Sequence, residues 1–285
     1  MTVCIAAICD GGKSVVVASD RMLTSNFPPI EFEHTRTKIF RLSDHCLSMT
    51  SGDALKPIEV IPKIQESINE QKNPPNIGVI VDIAKSWYQN LRLAQAEELF
   101  LKPRTINAKV FYSEGSKIFP TNVYGFLDSQ FTEFNYGLDL LIAGADTSGA
   151  HIYAVVNPGI SGCYDIVGFH AIGVGQMHAV QSFVAHRYDT ATSLAKCLHI
   201  VYAAKKASES APGVGVNTDM CFLVDGKTQI LDEEFIKKLD EIYQKVTDPR
   251  HEEIEKAEQL LEEMTRNAKM SEDNPQGKEA APNGK

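Results

Sequence analysis

The chain opens with two apolar runs around a turn. Thr2-Val3-Cys4-Ile5-Ala6-Ala7-Ile8 leads in, Ser14-Val15-Val16-Val17-Ala18 leads out, and Asp10-Gly11-Gly12-Lys13 lies between. Asp-Gly between β-branched runs is a strong hairpin signal, because the tight turn needs positive φ. A hairpin brings its open ends together, so Thr2 is expected beside Ser19 and Asp20. Segment 22–36, with Pro28-Pro29 and little periodicity, reads as a loop. Residues 37–42 then alternate, with Lys38, Phe40 and Leu42 on one face and Ile39 and Arg41 on the other. After a turn at Ser43-Asp44-His45, the return strand 46–50 ends in Ser51-Gly52-Asp53-Ala54, a glycine turn that opens a helix.

Helical spacing follows. Residues 57–71 place Ile58, Ile61, Ile64 and Ile68 in one stripe, with proline in the first turn and Pro62 set to kink the middle. Residues 77–101 place Ile80, Ile83, Trp87, Leu91 and Ala94 together, after the breaker Asn73-Pro74-Pro75-Asn76. Strand patterns are expected at 107–112, 138–144, 151–156, 168–174 and 216–224, and 119–136 reads as loop with weak strands. Helices are expected at 176–188 and 192–208, then at 232–246 and 252–267 with a break at Asp248-Pro249. Strand groups alternating with helix pairs predict a layered α+β sandwich, with sheets inside and helices outside.

Composition narrows the picture. The chain has 285 residues, 43% apolar, and a net charge of −9. The acidic balance argues against a phosphate-tracking nucleic-acid binder. No apolar run reaches membrane-spanning length, so the expectation is a cytoplasmic protein with no membrane partner. Cys4, Cys9, Cys46, Cys163, Cys197 and Cys221 include no CxxC pair, and free thiols in a reducing compartment are the simplest account. Neither a metal site nor a cofactor is expected.

The hairpin ends carry the candidate chemistry. A threonine hydroxyl needs a base. An N-terminal threonine carries its own in the α-amino group, whose ordinary pKa is about 7.7–8.0. Removal of Met1 would expose Thr2 in that form. The same stretch also fits Thr2 as the first residue of a buried strand. Lys38 fits both a snorkelling edge lysine and a buried ammonium that lowers a neighbour's proton affinity. Gly52 fits a plain turn glycine.

Four features taken together resemble proteasome β subunits and their bacterial relatives, from residue 2 to about 223. They are Thr2 with VVVASDR after a hairpin; Lys38-Ile39 followed by Ser51-Gly52; LLIAGAD and HIYAVV within 140–156; and AIGVGQMHA at 171–179. The start, MTVC, is similar to the bacterial proteasome-like proteins called Anbu. The absence of a helix before the first strand argues against the non-catalytic proteasome α type. The resemblance implies the N-terminal nucleophile hydrolase fold, a four-layer αββα sandwich. It also implies Thr2 as nucleophile, Asp20 as acid partner, Lys38 as the ammonium that favours deprotonation, and Gly52 as backbone donor to the oxyanion. The family's serine between two glycines is replaced here by Val174. Its later acid and serine fall near Glu209 and Pro212, with Ser208 and Ser210 close by.

The expected organisation is a hydrolase domain over 1–230, a helical extension over 231–268 and a disordered tail over 269–285. The leading function is a threonine peptidase in a self-compartmentalising homo-oligomer, ring or spiral. It would act on peptide or unfolded protein, with an ATP-dependent unfoldase as partner. The alternatives are a catalytically silent structural subunit and a small-molecule amidase of the same fold.

Overall fold

In the computed structural model, residues 2–26, 29–35, 37–224 and 226–272 are described. Strands β1 (Val3–Cys9) and β2 (Ser14–Asp20) form the expected hairpin, pairing Cys4 with Ser19 and Cys9 with Ser14. β3 (Met22–Asn26) and β4 (Pro29–Glu33) pair only with each other. The expected loop at 22–36 therefore contains two paired strands; Ile30-Glu31-Phe32-Glu33 alternates, but Met22–Asn26 does not, and Pro28-Pro29 reads as a break in the sequence. β5 (Ile39–Ser43) and β6 (Cys46–Gly52) follow, then α1 (Lys56–Asn69) and α2 (Ile77–Phe100).

The next two segments correct the sequence reading. The strand expected at 107–112 is the start of helix α3 (Ala108–Ile118), and the loop expected at 119–136 holds helix α4 (Thr121–Glu133). Asn107 caps α3 by accepting from Val110 N at 2.9 Å. A short apolar run such as 107–112 does not distinguish strand from helix, and the cap decides it. Phe111, Leu127 and Phe131 then bury against Ala96 and Leu101 of the preceding helix region.

β7 (Leu138–Asp146), β8 (Gly149–Val156), β9 (Ile160–Cys163) and β10 (Phe169–Gly173) precede α5 (Gln176–Ala185) and α6 (Leu194–Ser208). β11 (Thr218–Val224), β12 (Lys227–Ile230) and α7 (Glu233–Glu272) complete the order. One five-stranded sheet runs β10-β1-β2-β11-β12 and the other β5-β6-β7-β8-β9, with every neighbouring pair antiparallel.

Strand alternation splits the residues between two apolar layers. Cys4, Ala6 and Ile8 of β1 face Leu47, Met49, Leu141 and Ala143 across the sheet interface. The opposite phase of the second sheet, Leu140, Ile142 and Val155, packs on Ile61, Ile64, Ile80 and Tyr88 of α1 and α2. Each such fully buried side chain stabilises the fold by about 1.5–3 kcal/mol. α5 and α6 cover β10, β1 and β2 on the other side. This is the αββα sandwich. Within the stripes the phase differs by one or two positions. Ile58 is 66% exposed while Pro57 and Val60 are buried, and the inner face of α2 runs through Val81, Ala84 and Tyr88 instead of Ala94. Pro62 lies inside α1 and leaves the Ile58 carbonyl without its helical donor.

The chain divides into two compact units, Met1–Ile236 and Lys237–Lys285. α7 runs unbroken across Asp248-Pro249, where a break was expected. Residues 273–285, most of the expected disordered tail, lie outside the described residues. Among the described residues, no helix is long and apolar enough to cross a membrane. All six cysteines are free, and only Cys163 is exposed.

Candidate active site

Asp20 ends β2, and its fully buried carboxylate gathers five donors. Oδ1 accepts from the Thr2 hydroxyl, from Val3 N at 3.0 Å and from Lys38 Nζ at 2.9 Å. Oδ2 accepts from Met22 N and Gly215 N, each at 3.0 Å. Lys38 Nζ also donates to Thr2 Oγ1, so hydroxyl, carboxylate and ammonium form a closed triangle. Burial pushes the Asp20 carboxyl up. The Lys38 charge and the hydrogen bonds from Lys38, Thr2 and Gly215 outweigh it, and the group sits below its ordinary value.

Sheet register explains the meeting. Pairing of Cys4 with Ser19 leaves the start of β1 level with Asp20. Pairing of Thr218 with Asp20 brings the segment before β11, including Gly215, to Oδ2. Lys38 just precedes β5, and its 8% exposure excludes the snorkelling reading. Thr2, Lys38 and Gly52 line one cavity of about 340 Å³, with Met22, Phe40 and Pro57 among its walls. A more open groove of about 1130 Å³ shares Thr2 and Gly52 and continues to Gly173 and Met177.

Gly52 ends β6 at φ +105°, opposite Leu138. A Cβ there would lie 2.2 Å from the Gly137 carbonyl oxygen, so the backbone approach alone demands glycine. Thr2, Lys38 and Gly52 thus line one cleft, and the buried Asp20 contacts Thr2 and Lys38.

Other expected positions behave differently. Val174 is 47% exposed and lines the open groove. Ser208 does not reach the threonine hydroxyl. Its Oγ donates to Ala204 O at 2.8 Å and lies 3.1 Å from Gly175 O, and Gly175 N donates to Thr2 O at 3.3 Å. Ser210 donates to Ala207 O at 2.8 Å. Glu209 is engaged by Lys205 and Lys206 at 2.6 and 2.8 Å. Cys4, two residues after Thr2, has its thiol pushed up to about 12 by burial, despite the Lys38 charge, and is inert as a thiol near neutrality.

Two residues beyond the expected four shape the site, Gly173 and Gly215. Their only sequence signals are the glycines that follow apolar strands or precede them. Gly173 has φ +93°, and a Cβ would sit 2.3 Å from Thr2 O. Gly173→Ala is therefore expected to cost about 1–3 kcal/mol and to displace Thr2 from the triangle. Thermal unfolding checks it, and a midpoint equal to wild type would contradict the close approach.

A second constellation lies at the β7–β8 turn. Ser148 Oγ is 2.8 Å from His151 Nε2, and His151 Nδ1 is 2.7 Å from Asp165 Oδ2. The order suggests a serine nucleophile. The hydroxyl's single proton, however, goes to Asp146 Oδ1 at 2.5 Å, and Ser148 N donates to the same oxygen at 2.8 Å. These are the contacts of an Asx turn, and they leave His151 no serine proton to take.

Two five-stranded antiparallel sheets between helix layers, with a threonine opening the central hairpin, are the architecture of the N-terminal nucleophile hydrolase fold. Over 233 residues the chain is 27% identical to the proteasome subunit alpha type-2 of Trypanosoma brucei brucei, covering 80% of this chain and 82% of that protein. No protein-family model matches the chain. The distant similarity supports a proteasome-like N-terminal nucleophile hydrolase family. The matched relative is of the α type.

Proposed function

We propose that this chain is a threonine-dependent peptidase whose nucleophile is Thr2, freed as the N-terminal residue by removal of Met1. The observation that carries the reading is the buried triangle of Thr2 Oγ1, Asp20 Oδ1 and Lys38 Nζ, whose Thr2 and Lys38 line a cleft. It favours the β-type and Anbu-type resemblance over the α type. In this mechanism Thr2 Oγ1 attacks the carbonyl carbon of the peptide bond, and the α-amine takes the hydroxyl proton. The Gly52 N–H receives the oxyanion, a contribution of about 10²–10³ in rate. The proton passes to the leaving amine. Water, activated by the same α-amine, then releases the acyl group from the threonine ester. Asp20 holds Lys38 and the hydroxyl in register throughout.

The reading includes a cytoplasmic homo-oligomer, ring or spiral, that encloses its sites and takes peptide or unfolded protein from an ATP-dependent unfoldase. No nucleic acid or membrane is involved. The hydrolase domain is residues 1–230 and the helical extension 231–268 is a further candidate contact. Similarity to a proteasome subunit supports an assembly, and exposed Leu93, Leu99 and Val184 offer apolar helix surface for it. Contacts that meet head to tail give a ring if the rotation closes and a spiral if it does not. The α type of the matched relative favours a second reading, a silent subunit that keeps the fold for assembly alone.

The deciding experiment is intact mass with N-terminal sequencing, before and after treatment with a peptide epoxyketone. That probe closes a morpholine ring on a 1,2-amino alcohol and adds its whole mass. The expected result is a chain beginning at Thr2 that carries one probe. Met1 retained on essentially all assembled protein would overturn the mechanism in favour of the silent subunit.

A further inference from the structure

Lys205 is a buried ammonium that the mechanism above does not use. It lies on α6, and its side chain has no solvent exposure. Its three N–H donors are all engaged: Glu209 Oε1 at 2.6 Å, Gly215 O at 2.9 Å and Val216 O at 2.6 Å. Packing does not explain the charge. A methionine would fill the same space without the desolvation cost of an ammonium. Only one of the three acceptors is a carboxylate. The other two are carbonyls of the segment that leads into β11.

That segment touches the site. The Gly215 N–H donates to Asp20 Oδ2 at 3.0 Å, while the Gly215 carbonyl accepts from Lys205. One residue is thus held on both sides, by the catalytic carboxylate and by the buried lysine. Asn217 N donates to Glu33 Oε1 at 3.0 Å, which ties the same segment to β4. With Met22 N on the same oxygen, Oδ2 is fixed by two backbone donors, and Oδ1 is left facing Thr2 and Lys38.

We propose that Lys205 is a positioning residue for Asp20, acting through the Gly215 backbone to hold the carboxylate in the rotation that presents Oδ1 to Thr2. The inference rests on the threonine reading above. Without the clamp, the segment around Gly215 relaxes, Oδ2 loses a donor, and the carboxylate turns away from the hydroxyl. The charged groups that face Lys205 are Lys206 on its own helix, Glu209 just past the end of that helix and Asp20 on β2. Burial pushes its pKa down, Glu209 and Asp20 pull it up, and the balance lies below the ordinary lysine value.

The test measures the rate of epoxyketone labelling across pH, by intact mass, on wild type, Lys205→Met and Glu209→Ala. Lys205→Met is expected to label about tenfold more slowly, because a small misplacement of a catalytic group has large kinetic effects. The acid limb has two steps, the α-amine first and Asp20 below it, and in Lys205→Met the Asp20 step is expected at higher pH, since Asp20 loses a hydrogen bond that favours its charged form. A variant that is only less stable would not move that limb. Lys205→Met, an apolar side chain of similar size, is expected to keep the fold, whereas Glu209→Ala leaves the buried ammonium without its countercharge and is the less stable of the two, so thermal unfolding is measured on both and labelling is read on folded protein. Glu209→Ala removes the third anchor of Nζ and is expected to slow labelling about threefold. Wild-type rates and an unmoved acid limb in the folded variants would overturn the role of Lys205 alone. A wild-type protein that takes no probe would overturn the threonine reading and this role with it.

Discussion

Thr2→Ala is expected to lower peptide hydrolysis by about 10⁴-fold or more while the protein keeps its fold and its assembly, because removing the nucleophile of a coupled site removes nearly all of its catalysis. The substitution deletes Oγ1 and leaves Cβ in place. Asp20 and Lys38 stay in direct contact at 2.9 Å, so the buried ion pair survives the loss of the hydroxyl. Thermal unfolding and light scattering should therefore match wild type while turnover disappears. Neither Cys4, next to Thr2, nor Ser148, in the second constellation, is ready to replace it. The Cys4 thiol is held neutral by burial, and Ser148 at the β7–β8 turn gives its proton to Asp146. Full activity in Thr2→Ala would end the assignment.

Asp20→Asn is expected to cost both activity and about 3–5 kcal/mol of stability, the penalty of breaking a buried pair from one side. All five groups that Asp20 receives are donors. An amide presents an NH₂ where one carboxylate oxygen was, so donor faces donor, and Lys38 loses its countercharge. The pH dependence has a definite sign. The folded pKa of Asp20 lies below its unfolded value near about 3.9. Its contribution is therefore complete above the ordinary carboxylate range and is lost as pH falls through the lowered folded value. Acid unfolding of wild type should be steeper in that window than that of Asp20→Asn. Denaturant midpoints from pH 7 down to pH 2 check both claims, and parallel curves of equal stability would refute them.

Periodicity and turn chemistry carried far along this chain where structure is local. The β1–β2 hairpin follows from Asp10-Gly11 between two apolar runs, and it alone brings the start of β1 to Asp20. The 3.6-residue spacing of isoleucines marks α1 and α2, although their buried faces turn by a residue or two to meet Leu140 and Ile142. The patterns failed where two structures share one local signal. Residues 107–112 are apolar and short, and Asn107 at the cap, together with the Phe111 cluster, makes them a helix. The β3–β4 pair escapes the pattern because Met22–Asn26 shows no alternation and Pro28-Pro29 reads as a break, although Ile30-Glu31-Phe32-Glu33 alternates. Asp248-Pro249 looks like a stop, yet α7 passes through it at the cost of one backbone hydrogen bond.

For the site, the β1–β2 hairpin alone sets Thr2 beside Asp20, whereas the roles of Lys38 and Gly52 came from the resemblance and not from their local patterns. Whether Lys38 was an edge lysine or a buried ammonium was decided only by sheet stacking, which places Nζ between Thr2 and Asp20. Gly173 and Gly215 stand 171 and 195 residues from the groups they touch, Thr2 and Asp20, and reach them through the pairing of β10 with β1 and β11 with β2. Lys205, on a helix, meets the site through Gly215. Local sequence determined the strands and their turns, since propensity and periodicity act over a few residues. The tertiary structure decided which distant backbone donors surround the carboxylate, since inter-strand register depends on how all the apolar faces are buried at once.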